Sequence, residues 1–197
     1  MIRQIHRPLY LAYAGRPYGR RMPYTVIACR SALVLVFGVA VLGKVSGPRA
    51  FAEFEDMLRA MRLVPARLRR PTAVIVIGLE SAVPVVLLAG TAVRIGFLGA
   101  AVLMALFVGG TAVVIRRRTP VSCRCFGPGG GRLGYPHLVR DGLIAAIATV
   151  GLIGAWIDPG PAEHPGGIAV GVLAGLTAAA LLVRFDELVD LFAARTA

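Results

Sequence analysis

The chain has 197 residues, 57% of them hydrophobic and 16% charged, with a formal net charge of +12 and a mean hydropathy of +0.74. A soluble domain carries roughly a quarter charged residues, so this composition excludes one. Nucleic-acid binding is excluded as well: the arginines flank apolar runs, where they set topology and meet lipid headgroups, and no basic nucleic-acid fold accompanies them.

In chain order, residues 1–24 form a basic arm. They are polar and arginine-rich, unlike a cleavable signal, and the run behind them is long enough to remain as a helix. Five apolar runs follow. Residues 25–43 contain one charge, Arg30, near the start; 72–93 contain one, Glu80. Residues 95–115 contain none, 138–157 carry Arg140 and Asp141 at one end only, and 166–183 contain none. A bilayer core of ~30 Å needs about 20 helical residues, and a span must satisfy its backbone polar groups internally. The predicted fold is therefore all-α: a polytopic transmembrane helical bundle with a four-helix core over 25–157. A fifth, shorter helix within 158–197 is rich in Gly and Ala, which suit close helix packing. An interfacial or re-entrant segment is its alternative reading.

The connections carry the remaining signals. Within 44–71, Phe51, Phe54, Leu58 and Met61 fall at helical spacing among Glu53, Glu55, Asp56, Arg59 and Arg62, and Pro48 is placed for a helix start. This predicts an amphipathic helix, either lying on the membrane surface or packed as a cap over the bundle. Residues 116–137 open with Arg116, Arg117 and Arg118 and pass through Cys123-Arg124-Cys125-Phe126-Gly127. They then enter Pro128-Gly129-Gly130-Gly131, the composition of an irregular loop.

Cys123 and Cys125 are the candidate reactive pair. Thiols one residue apart close into a disulfide only with strain, and strained disulfides are labile and oxidising. Arg124 between them favours the thiolate. A zinc site normally needs four ligands, and His137 is the one additional ligand type nearby, so no metal is expected. Cys29 lies at the far end of the first span and reads as a packing residue.

Helix parity orders the polar residues without an orientation. Lys44 ends the first span, so the segment holding Cys123 and Cys125 lies on the side of Lys44. Glu80 lies about 12 Å along the second run from that side, and Arg140 and Asp141 start the fourth run there. An ionisable residue within a span faces the bundle interior and seeks a partner; Lys44 and Arg140 are the candidates for Glu80. Lys44 is the single lysine of the 22 basic residues, which marks an ammonium as wanted there. A helix-end lysine reaching water is the alternative. Pro84, one turn deeper than Glu80, is a point at which the helix can open.

Gly43-Lys44, Glu80, Cys123-Arg124-Cys125-Phe126-Gly127 and Arg140-Asp141 together resemble the MauE family of methylamine-utilisation proteins, within a wider DoxX-like group of small membrane proteins. The resemblance covers roughly residues 28–157. It implies a four-helix membrane bundle that handles cysteine redox state, in maturation of an exported, disulfide-rich protein of the methylamine dehydrogenase beta-subunit type. It also implies a thioredoxin-like partner acting in trans. Carried over, Cys123 and Cys125 are the exchanging pair, with Lys44, Glu80 and Arg140 as the polar core behind them. The chain departs from the family pattern at Arg124, commonly Gly, and at Asp141, commonly Asn.

Two signals disagree on orientation in the plasma membrane. Fifteen of the 22 Lys/Arg lie on the cysteine side, which the positive-inside rule places in the cytoplasm. A labile disulfide has its use outside the cytoplasm, an exported client requires the same, and the basic head favours a cytoplasmic N-terminus. The expectation is extracytoplasmic cysteines. The function expected is thiol–disulfide exchange, with a membrane quinone as a candidate electron carrier and no cofactor required in the chain. A non-catalytic scaffold or chaperone subunit docking a partner on residues 44–71 is the alternative. A small transporter using Glu80 is weaker, since no inverted repeat with broken helices is visible.

Overall fold

The computed structural model describes residues 22–118, 134–157 and 164–193. Its helices are α1 (Met22–Val45), α2 (Pro48–Met61), α3 (Arg69–Ala89), α4 (Val93–Arg116), α5 (Tyr135–Ile157), α6 (Pro165–Val183) and α7 (Phe185–Ala193), with a 3-10 turn at Ala66–Leu68 before α3. There is no strand among the described residues. Helices α1, α3, α4, α5 and α6 are each long and apolar enough to cross a bilayer, and the chain is a multi-pass membrane protein.

Helix α1 packs against α3 and α5, and α4 packs against α3 and α5, so these four close a ring. Leu33, Phe37, Leu87, Phe97, Ile144 and Ala148 fill its centre. Outward-facing side chains such as Val85, Ile95 and Leu106 are exposed and apolar, as lipid contact requires. Helix α6 stands outside the ring against α1. Its buried Gly171, Gly175 and Ala179 recur every four residues. A Cβ at Gly175 would overlap the Ala28 carbonyl and the Ser31 hydroxyl, and one at Gly171 would lie 3.0 Å from the Tyr24 carbonyl. The small residues foreseen in the fifth run thus let two backbones touch.

Helix α2 begins at Pro48 and is a packed cap, not a helix lying free on the membrane surface. Phe54 and Met57 are buried against Ala73 of α3 and Val114 of α4, and Phe51, Leu58 and Met61 pack beside them. Arg62 closes α2 in a left-handed conformation. Helix α3 runs unbroken through Pro84. The proline has no N–H to give to the Glu80 carbonyl one turn earlier. Gly90 ends α3 at φ 75°, a left-handed C-cap that favours glycine. Beyond α6 the chain turns at Arg184 into α7, which returns to contact α5.

Candidate functional site

The ring brings four of the sequence-predicted polar residues, Lys44, Glu80, Arg140 and Asp141, to one end of the bundle interior, and all four are buried. Lys44 is the penultimate residue of α1. Glu80 lies about 16 Å along α3 from Arg69, at ~1.5 Å per residue. The two meet because α3 projects beyond the end of α1 on this side, and α2 folds over that projection. The Lys44 ammonium therefore turns inward and does not reach for water.

Its surroundings are complete. Lys44 Nζ donates to both Glu80 carboxylate oxygens at 2.8 Å and approaches the Ala40 carbonyl at 3.5 Å. The Phe54 ring of α2 lies 5.1 Å from the ammonium, within cation–π range. The pair is 1% and 3% exposed at the side chains. Between the two candidate partners for Glu80, the structure selects Lys44.

Arg140 makes a second cluster. Its Nε and one terminal nitrogen donate to Asp141 Oδ1 at 3.2 and 3.1 Å. The other terminal nitrogen donates to Asp186 Oδ2 at 2.6 Å, and His137 Nε2 lies 3.5 Å from the same oxygen. His137, Arg140, Asp141 and Ile144 follow helical spacing on α5, so one helix face presents them all. Asp186 comes from the first turn of α7. Sequence reading missed it. The usable signal was parity: a fifth span returns the chain to the Lys44 side, and an acidic residue there is in reach of Arg140.

The clusters border one small cavity of about 20 Å³. Lys44, Glu80 and Asp141 line it together with Phe37, Met104 and Ile144. That space admits about one water, so the core is a bonded frame and not a chamber for a substrate. Paired, hydrogen-bonded charges of this kind tie α1 to α3 and α5 to α7, because each partner left alone would be a buried charge.

Cys123, Arg124 and Cys125 lie outside the described residues. Their place in the chain still bears on the site: α4 ends at Arg116 and α5 starts at Tyr135, both at the end of the ring that holds Lys44. Cys29 is buried in the apolar core, as expected of a packing residue. Among the described residues no group of His, Cys, Asp and Glu is arranged to hold a metal ion.

Fold and polar core together define a small multi-pass helical membrane protein whose interior is locked by buried ion pairs at one end. The chain matches the family model of methylamine utilisation protein MauE over residues 22–154 and belongs to that family. It is 33% identical over 184 residues to methylamine utilization protein MauE of Paracoccus denitrificans, covering 89% of this chain and 92% of that protein. It is 34% identical over 160 residues to the protein of the same name from Methylorubrum extorquens, covering 79% and 82%. No solved structure matches the chain.

Proposed function

We propose that this protein supports maturation of an exported, cysteine-containing client of the methylamine dehydrogenase beta-subunit type by thiol–disulfide exchange at Cys123 and Cys125. The observation that carries the reading is the polar core: an enclosed Lys44–Glu80 pair and an Arg140–Asp141–Asp186 cluster at the end of the ring from which residues 119–133 depart and to which they return. The likeness to two methylamine utilization proteins over most of their length supplies the metabolic context. The core ties α1 to α3 and α5, at whose start the cysteine segment ends, to α7, and so steadies the end of the bundle at which that segment is anchored.

In this mechanism a client thiolate attacks one sulfur of the Cys123–Cys125 disulfide, giving a mixed disulfide and one free thiol. The second client thiolate then displaces the bound cysteine. The client leaves oxidised, the pair is left as a dithiol, and two electrons and two protons have moved. A thioredoxin-like protein in trans that arrives as its disulfide and leaves as its dithiol, or a membrane quinone that leaves as its hydroquinone, takes up the two electrons and two protons and restores the disulfide. Arg124 stabilises the departing thiolate. The pair faces the extracytoplasmic side in this reading, where such a disulfide persists.

The test is the redox state of the client co-expressed with the chain, read as the mass shift from maleimide alkylation. The Cys123→Ser/Cys125→Ser double variant is expected to leave the client thiols unpaired. A client whose disulfides form as before in the double variant overturns the proposal and leaves the scaffold role.

A further inference from the structure

The opposite end of α1 carries a feature that the polar core does not use. An apolar groove of about 580 Å³ runs along the outer face of α1, walled by α6 on one side and closed near its mouth by Leu88 of α3. Val34, Gly38 and Leu42 form a strip of α1 at four-residue spacing, and Ile168, Val172 and Leu176 line the same groove from α6 nearer its Arg30 end. From Arg30 to Leu42 the groove is about 18 Å long at ~1.5 Å per residue. That is close to one leaflet of a ~30 Å hydrocarbon core.

Its polar end is cationic. Arg30 is half-buried at the mouth, and one of its terminal nitrogens donates to the Leu88 carbonyl at 2.9 Å. The guanidinium lies beside Gly90: a Cβ there would be 3.5 Å from Arg30, an ordinary contact distance. Guanidinium has five N–H donors in a planar fork, and among the described residues Leu88 O is the one hydrogen-bond acceptor it meets. Ser31, the other polar side chain of the lining, has its hydroxyl on the Ile27 and Ala28 carbonyls. The groove thus pairs one cation at headgroup depth with a leaflet-long apolar channel.

We infer that this groove is a binding site for one anionic phospholipid, its phosphate held on the Arg30 guanidinium and one acyl chain laid along Val34, Gly38 and Leu42 against α6. Charge complementarity selects the occupant: a planar guanidinium binds phosphate bidentately, and a neutral amphiphile leaves that fork unused. The lipid mortars α6 to the ring on the side where the glycine contact ends. This goes beyond the redox reading and stands without it.

The experiment is native mass spectrometry of the full chain, reconstituted into vesicles of phosphatidylcholine with a minority of phosphatidylglycerol and then released into mild detergent. The expected result is retained phosphatidylglycerol, enriched about tenfold over its share, the worth of roughly one charge-assisted hydrogen bond. Arg30→Gln removes the enrichment, and Arg30→Lys keeps most of it. Gly38→Leu fills the channel and removes bound lipid of either kind. A Cβ at Gly38 meets nothing within 4 Å, so this variant leaves the fold and the Arg30 contact to α3 intact. Equal retention of both lipids by the wild type overturns the inference. So does enrichment unchanged in Arg30→Gln, or a quinone retained in place of phospholipid.

Discussion

Removing one half of the Lys44–Glu80 pair should cost far more than removing both. In Glu80→Gln the ammonium keeps the Ala40 carbonyl and the Phe54 face but loses a carboxylate that accepts from it at 2.8 Å on both oxygens. In Lys44→Met the Glu80 carboxylate is left beside the cavity that Asp141 also lines. Breaking a buried pair by one partner costs roughly 3–5 kcal/mol. Within a membrane the unfolded reference also finds polar partners, which sets the expectation at about 3 kcal/mol for each single variant. For a chain of this size that lowers the unfolding midpoint by about 6–12 °C. The double variant Lys44→Met/Glu80→Leu removes both charges, keeps similar volume, and is expected within about 1.5 kcal/mol of the wild type. The assay is thermal unfolding in detergent micelles, followed by circular dichroism, for all four proteins of the cycle. A double variant as unstable as the two singles added together would contradict the pairing, because the sites would then act independently.

Three further outcomes follow from the same contacts. Gly175→Leu drives a side chain into the Ala28 carbonyl and the Ser31 hydroxyl, so α6 should detach from α1; limited proteolysis near residues 158–164 should accelerate severalfold, while Gly166→Leu, with open space, should change nothing. Arg140→Met leaves Asp141 and Asp186 without the guanidinium they share and should destabilise the bundle by about 3 kcal/mol. Asp186→Asn, at a partly exposed position, should cost about 1 kcal/mol; the same thermal assay checks both, and equal losses would contradict the geometry. Arg59→Gln/Arg62→Gln alters exposed charges of α2 away from the core and should leave client maturation within about twofold of wild type. A loss of maturation there, with the cysteine double variant active, would favour the scaffold role.

The spans were legible because a bilayer imposes length and near-continuous apolarity, and α1, α3, α4 and α5 obey both apart from a few charges such as Arg30, Glu80, Arg140 and Asp141. The fifth span was harder, since α6 is the shortest and owes its place to glycines that touch α1 backbone; composition suggests such contact but does not say with which helix. Glu80 was legible as a buried acid in need of a partner, and parity narrowed that partner to Lys44 or Arg140. Choosing Lys44 required the extension of α3 beyond α1, which depends on how α2 folds over both. Asp186 escaped notice because its meaning lies in α7 reaching back to α5, a contact that no local pattern encodes. Pro84 marks a point at which a helix can open, yet α3 runs continuous through it.

The most direct measurement of the central claim is thiol labelling of Cys123 and Cys125 in intact cells. A membrane-impermeant maleimide is applied with and without prior reduction, and both cysteines are read by mass shift. Labelling only after reduction is expected, which places a resting disulfide outside the cytoplasm. Absence of labelling in intact cells, with labelling after lysis, would put the segment in the cytoplasm and contradict exchange with an exported client.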